Sequence, residues 1–328
     1  MSRDVPDPGG AEAPDLAEAT MLEILAVVLE GLAAGAPVVA LRVADPDRGR
    51  GLYAGELVDL GGRACVHRPL RVWLDLAERL RLRLLTPRPC AGGLVELRLE
   101  PLDAAAPWRA DDGDPRERYG AASPFQRISK LEEPDLLLDV ADALDRVDPP
   151  ADARVLGLGI NRGDELALLC ALRPALAERG SFVGVDHSAS ALALARDRVP
   201  AADLRLVVAD LRDLERLDLG APFDLVVAFG ALQSPGVDDR ALLRHLVQAR
   251  LRPTGALLLT LPNSRYVDGE QLYGARMRNF AQPELSLLIK DVAFYRRYLQ
   301  QHRRQVFVTG KRELLITAVA RDAAAPAG

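Results

Sequence analysis

Four short segments in the second half of the chain combine residue types able to grip a ligand. The first is Gly157-Leu158-Gly159-Ile160-Asn161-Arg162-Gly163, a glycine-rich turn between an apolar run and a helical pattern. Glycine admits positive φ and lets backbone approach a ligand closely, and Asn tolerates left-handed geometry better than most residues. The helix that follows would present N–H groups to negative charge. The second is Asp186, an acid ending SFVGVD. A carboxylate there can accept both hydroxyl hydrogens of a ribose; its plainer role is to cap a helix, which Ser188 could equally do. The third is Ala209-Asp210-Leu211, where a carboxylate can accept from an exocyclic amine. The fourth is Phe229-Gly230-Ala231, small residues that leave room for a ligand. Each segment is weak alone, since glycine-rich turns also arise from packing.

What they share is position. ARVLGLG (153–159), SFVGVD (181–186), LRLVVAD (204–210), FDLVVAFG (223–230) and GALLLTLP (255–262) are short apolar runs, as expected of strands buried on both faces. Helical patterns over 133–146, 163–178, 188–198 and 238–251 come between or before them. This alternation predicts an α/β, doubly wound parallel sheet with helices on both faces. In such sheets ligands bind outside the carboxyl ends of the strands, where all four segments fall. The end differs: QVFVTG and RELLITAVA meet at Gly310-Lys311 and predict an antiparallel hairpin.

The order VLGLGINRGDE, FVGVDHS, LRLVVADLRDL, FDLVVAFGALQ, LRPTGALLLTLPNS resembles the class I S-adenosylmethionine-dependent methyltransferases over about 133–321. The terminal hairpin resembles that family's reversed last strand. The resemblance implies a Rossmann-like seven-stranded sheet, S-adenosylmethionine as cofactor, Gly159 and Gly163 beside the methionine moiety, Asp186 at the ribose and Asp210 at the adenine. Gly157, Asn161, Leu211 and Phe229 complete the expected cofactor-binding set. Two positions depart from the pattern: the family's usual acid before the turn, which helps hold the cofactor's amino group, is Gly157, and its middle glycine is Asn161. Asp164 or Glu165 could supply the missing carboxylate; spacing does not choose between them. Two alternatives stand beside methyl transfer. One is a catalytically inactive binding or regulatory module. The other is a nicotinamide-dependent oxidoreductase, although its fingerprint is spaced G-x-G-x-x-G and this turn reads G-x-G-x-x-x-G.

Methyl transfer is an in-line displacement that needs the acceptor aligned about 3 Å from the methyl group, with a base only if the acceptor carries a proton. In the resembled family the acceptor pocket comes from N-terminal additions and from segments after the fourth and fifth strands. Here the segment after the fifth strand, 263–304, is long and is expected to form a lid. Residues 265–312 hold ten basic and four acidic side chains, and seven of the chain's thirteen Phe and Tyr. That mixture suits an anionic, stackable acceptor, a nucleotide or RNA, or an anionic small molecule. Its plainer reading is a helix with Leu285, Leu288, Ile289, Val292, Ala293, Tyr295 and Tyr298 on one face, covering the sheet. Asn263, Tyr266 and His187 are weak catalytic candidates, polar groups at strand ends. Phe125, Arg127 and Lys130 stand where they could close over the cofactor. Local capping and packing explain these better.

The remainder bounds the class. With 328 residues, two domains are expected. Residues 1–14 read as a disordered tail, 15–103 as a small α+β domain, 104–123 as a polar linker and 124–328 as the larger domain. In the small domain, Asp15 with Glu18 predicts a helix start, Gly61-Gly62 a hairpin, and 69–80 an amphipathic helix. Three cysteines, Cys65, Cys90 and Cys170, without ligand spacing predict neither a disulfide framework nor a metal site. No apolar run approaches the ~20 residues of a membrane span, and the acidic N-terminal stretch does not resemble a secretory signal. The expectation is a soluble cytoplasmic protein with an unidentified acceptor, and a homodimer is possible. A net charge of −5 argues weakly against a dedicated nucleic-acid binder.

Overall fold

The structure is a computed structural model and describes residues 12–48, 53–102, 117, 119–127, 129–234, 236–263, 265–267, 270–273, 286–311 and 313–321. It divides into two compact units: residues 1–107 with 265–272, and residues 108–264 with 273–328.

The first unit holds α1 (Met21–Ala33), β1 (Val39–Ala44), β2 (Glu56–Asp59), β3 (Ala64–His67), α2 (Leu70–Leu80), β4 (Leu82–Leu84), β5 (Arg88–Pro89) and β6 (Leu94–Pro101). β6 is the hub of an antiparallel sheet, pairing with β1, β4 and β5, while β2 and β3 form the hairpin around Gly61-Gly62. Alternate residues Leu41, Val43, Leu97 and Leu99 meet Ile24, Val28 and Trp73 in one core. The helix does not start at Asp15. Its capping box is Thr20–Glu23: Thr20 Oγ1 accepts the Glu23 N–H at 3.3 Å, and Glu23 Oε2 accepts the Thr20 N–H at 2.7 Å. Asp15 and Glu18 are drawn to Arg63 instead, at 3.0 and 2.8 Å.

The second unit holds α3 (Pro134–Val147), β7 (Arg154–Leu158), α4 (Asp164–Leu172), α5 (Pro174–Arg179), β8 (Ser181–Asp186), α6 (Ala189–Arg198), β9 (Asp203–Val208), β10 (Phe223–Phe229), α7 (Asp239–His245) and β11 (Leu251–Pro262). After β11 come β12 (Arg265–Val267) and β13 (Glu270–Tyr273), then α8 (Ser286–Gln301), β14 (Arg304–Gly310) and β15 (Glu313–Ala320). Seven strands form one sheet in the order β14-β15-β11-β10-β7-β8-β9. β15 runs antiparallel to both neighbours, and the pairs from β11 to β9 are parallel. The expected α/β seven-stranded sheet is the one observed.

Three local expectations change. The helix expected over 163–178 breaks into α4 and α5 at Arg173 (φ −136°), because Pro174 offers no N–H to continue the ladder and instead opens the next helix. α7 stops at His245 and passes through a π turn, Leu246–Arg250, rather than running on to 251. The expected lid over 263–304 is not one body. β12 and β13 pair with each other, most of that hairpin counts with the first unit, 274–285 lie outside the described residues, and α8 forms a wall of the sheet.

In α8, Leu288, Tyr295 and Leu299 are buried while Ile289 faces solvent. The buried Tyr295 hydroxyl donates to Asp239 Oδ2 at 2.8 Å, tying the helix to α7. Arg240 lies 4.5 Å from the Phe294 ring centre, Phe294 stacks on Tyr298, and the Tyr298 hydroxyl accepts from Gln248 Nε2 at 3.2 Å. Substituting Tyr295→Phe should lower stability by about 1.5–3 kcal/mol, because Asp239 loses a buried donor to a charged acceptor. Chemical denaturation reads this as a lower midpoint with an unchanged slope.

Candidate functional site

The glycine turn is shaped by packing. Gly157 and Gly184 sit side by side in the register of β7 and β8. A Cβ on Gly157 would lie 2.6 Å from Ile160 Cγ2 and 3.0 Å from Leu166 Cδ2, and a Cβ on Gly184 would strike Ile160 Cδ1. The fully buried Ile160 thus fills the hollow left by two missing side chains. Gly157 is therefore the floor of a plug, and any side chain there would have to displace Ile160. Gly163 (φ +80°) has a similar packing role, since its Cβ would meet Cγ2 of Val199, the residue after α6, at 2.6 Å. Gly159 (φ +64°) lets the ends of β7 and β10 touch; its Cβ would lie 2.6 Å from that of Ala231. Asn161 takes φ +46° and holds the turn from both sides. Its N–H donates to Asp186 Oδ2 at 2.8 Å, Nδ2 donates to the Tyr119 carbonyl at 2.6 Å, and Oδ1 accepts from Gln126 Nε2 at 2.9 Å.

Asp186 is 5% exposed, with its other oxygen accepting the Ser188 N–H at 2.9 Å. Two backbone donors hold the carboxylate in one orientation while leaving acceptor lone pairs over. Asp210 is gripped by Arg212, whose guanidinium holds its carboxyl below the usual range, at 3.0 Å from Nε and 2.6 Å from Nη2. It also caps the turn that follows through the Arg212 N–H. Leu211 reaches within 3.9 Å of where a Gly159 Cβ would stand, so it borders the turn. Phe229 does not: it is 8% exposed and belongs to the core under α3 and α4, on the face its strand position dictates. His187 Nδ1 is 3.7 Å from Asp186 Oδ1. Asn263 bridges β11 to the last hairpin, donating from Nδ2 to the Lys311 carbonyl at 2.8 Å. Tyr266 belongs to β12, and its side chain lies outside the described residues.

Glu117, Tyr119 and Glu313 escaped the sequence reading. Part of the expected linker is a strap over the turn. The Glu117 carboxylate accepts from the hydroxyls of Ser188, at 3.1 Å, and Ser190; the Ala121 N–H donates to Ser190 Oγ at 2.8 Å; Arg162 Nη1 donates to the Gln126 carbonyl at 2.8 Å. Lys130 pairs with Glu313 at the head of β15, 2.9 Å away, and its Nζ stands 3.5 Å from where a Gly230 Cβ would be. A cation and an acid thus meet at the ends of β10 and β15. Of the two acids opening α4, Asp164 is saturated by Arg162 (2.9 Å) and Arg198 (2.6 Å). Glu165 stays half-buried, and burial pushes its carboxyl up to about 8. No periodicity marks a strap, and Glu313 was hidden inside a strand pattern.

Residues 158–257, from the end of β7 through most of β11, match the sequence model of a family described as a methyltransferase domain. This stretch of the second unit is a methyltransferase domain, in keeping with the expected class I S-adenosylmethionine-dependent fold. Over 124 residues the chain is 36% identical to a trans-aconitate 2-methyltransferase of Variovorax paradoxus, covering 38% of this chain and 44% of that one. A protein of the same name from Methylobacterium nodulans is 33% identical over 146 residues, covering 42% and 52%. The chain spans about half the length of these curated relatives. Among solved structures, magnesium protoporphyrin IX methyltransferase from Synechocystis aligns over 67% of this chain and 100% of its own at 17% identity, with a TM-score of 0.41.

The methyltransferase domain keeps features suited to its cofactor: left-handed Gly159 and Asn161, an α4 N-terminus facing the turn, and an oriented Asp186 carboxylate. What it lacks at Gly157 follows from Ile160. Substituting Gly157→Asp should therefore destabilise the domain by about 1–3 kcal/mol through overpacking. Adding Ile160→Ala to Gly157→Asp should recover part of that loss, whereas Ile160→Ala alone should cost about 2–4 kcal/mol. Denaturation midpoints of the three variants check the non-additivity.

Proposed function

We propose that the protein transfers a methyl group from S-adenosylmethionine to a carboxylate oxygen of a small anionic acceptor. The cofactor supplies an electrophilic methyl on a sulfonium centre, which leaves as a neutral thioether. The chain's own work is to bind and align. Asp186, fixed by the N–H groups of Asn161 and Ser188, is suited to accept from ribose hydroxyls. Asp210 and Leu211 border the expected adenine position. The observation that carries the acceptor class is the Lys130–Glu313 pair at the strand ends, beside Gly230. By exchanging Glu313 for a substrate carboxylate, Lys130 would hold an anion in the cleft. A carboxylate is already ionised at neutral pH, so no general base is required. The relatives' names point to the same chemistry: they are methyltransferases of trans-aconitate, a polycarboxylate.

RNA is less favoured, because Phe294, Tyr295 and Tyr298 are occupied by Arg240, Asp239, Gln248 and one another, leaving no open stacking platform among them. Calorimetric titration with S-adenosylmethionine and S-adenosylhomocysteine should give micromolar binding, weakened about 10–100-fold by Asp186→Ala. Radiolabelled transfer to a panel of di- and tricarboxylates should yield methyl esters, and Lys130→Ala should raise KM for the acceptor about tenfold while sparing cofactor affinity. Cofactor binding without transfer to any carboxylate would favour the inactive-module alternative. Transfer to RNA alone would replace the acceptor class.

A further inference from the structure

Arg250 grips a turn that borders the glycine turn, and a histidine in its place holds Arg250. The turn Leu211–Arg216 follows Asp210, whose carboxylate caps it, and Leu211 at its start reaches the glycine turn. At the far end Arg250 Nη2 donates to the carbonyls of Leu214 at 3.0 Å and Leu217 at 2.8 Å. Arg250 Nε donates to His245 Nε2 at 3.0 Å. The π turn makes this arrangement possible. The Leu251 N–H returns to the Leu246 carbonyl, five residues back. The widened turn brings positions 245 and 250 together, where a regular helix would set them about 140° apart.

A guanidinium offers donors and no acceptor. The His245 nitrogen that meets it must therefore accept, so the ring is neutral with its proton on Nδ1. Among the described residues, two other imidazoles do the reverse. His67 Nε2 meets the Pro46 carbonyl at 2.8 Å and His302 Nδ1 the Tyr298 carbonyl at 2.9 Å, so both donate. Protonation leaves those two bonds intact, but at His245 it turns an acceptor into a cation facing a cation. We infer that Arg250 is a positioning residue for the cofactor cleft, that neutral His245 sets it, and that acid releases the turn after Asp210. The inference rests on the reading that Asp210 and Leu211 border the bound cofactor.

The charged groups facing the ring are Arg250 from the π turn and Glu215 from the turn that Arg250 grips. Arg244 of α7 lies against the Phe294 ring instead. Burial first, and then Arg250, hold the His245 ring below the ordinary imidazole range, while Glu215 pulls the other way. The unfolded chain thus takes up this proton more readily than the folded one. The contribution of the pair to stability is fully present above the unfolded ring's value of about 6.5 and is lost as pH falls through the lower folded value. His245→Gln keeps an amide oxygen for Arg250 and does not titrate, whereas His245→Phe keeps a ring and offers no acceptor.

The test uses the full chain and both variants between pH 5 and 8. Nitrogen NMR of the four histidines should show His245 neutral at pH 8, with Nδ1 protonated and Nε2 bare. Hydrogen exchange at amides 213–217, corrected for intrinsic rates, should lose about tenfold protection between pH 8 and 5, and calorimetric affinity for S-adenosylhomocysteine should fall about as much. His187 stands beside Asp186, so the decisive quantity is the difference between the unsubstituted chain and His245→Gln. That variant should keep its protection and affinity in acid, and His245→Phe should lack both at every pH. A His245 ring protonated on Nε2 at pH 8 would overturn the assignment, as would the same acid loss in His245→Gln. Should His245→Phe not fold, those two readouts still decide. Full affinity in a folded His245→Phe whose turn exchanges freely would sink the positioning role. Failure of the unsubstituted chain to bind at any pH would instead remove the cofactor reading beneath the inference, and the NMR and exchange results tell the two failures apart.

Discussion

Ile160 resting on two glycines is the contact on which the site depends. Parallel strands β7 and β8 bring Gly157 and Gly184 into register, and a hollow that size in a close-packed interior must be filled or collapse. Filling it from the turn itself fixes the turn's height above the sheet. The following residue, Asn161, takes left-handed geometry. That places the Asn161 N–H on Asp186 and its side chain against the strap. Packing beneath the turn thus decides where hydrogen-bonding groups emerge above it.

The acids near the strand ends are sorted by what surrounds them. Asp164 is neutralised by two arginines and Asp210 by one, whereas Asp186 accepts hydrogen bonds from two backbone amides, with His187 3.7 Å away. Only the last arrangement leaves a carboxylate aimed without being spent on another side chain. Lys130 and Glu313 show the converse, a buried acid with a partly exposed cation that a competing anion could take over. Similar residue types therefore carry different chemical potential within one cleft, because donors, cations and burial are distributed unevenly among them.

The sheet was legible because its strands are continuous apolar runs bounded by turn residues, and because β15 and β14 announce a hairpin at Gly310-Lys311. Asp186 and the left-handed turn were legible for the same reason: they stand at the ends of those runs. Other features depend on partners far away in the chain. Nothing local distinguishes Gly157 as a packing glycine, since the reason lies in Gly184 and Ile160. Phe229 reads as a strand-end residue until strand alternation sends it inward. Glu117 and Gln126 sit in an aperiodic polar stretch, where composition resembles a linker and the binding partners, Ser188, Ser190 and Asn161, lie far along the chain. The helix start misassigned to Asp15 failed on a competing acid: Thr20 with Glu23 repeats the same pattern five residues later, and Arg63 claims Asp15 and Glu18.

The return of residues 265–272 to the first unit sets a timetable for the nascent chain. A ribosome that has released the opening hundred residues has not yet made the last piece of the unit they build. It must first synthesise β7 through β11, which are free to begin pairing in the meantime. The unit that emerges first is thus completed late, after most of the parallel sheet has been made. A gene cut near residue 107 would separate that unit from its own hairpin, so the two units are divided in space but not in the message that encodes them.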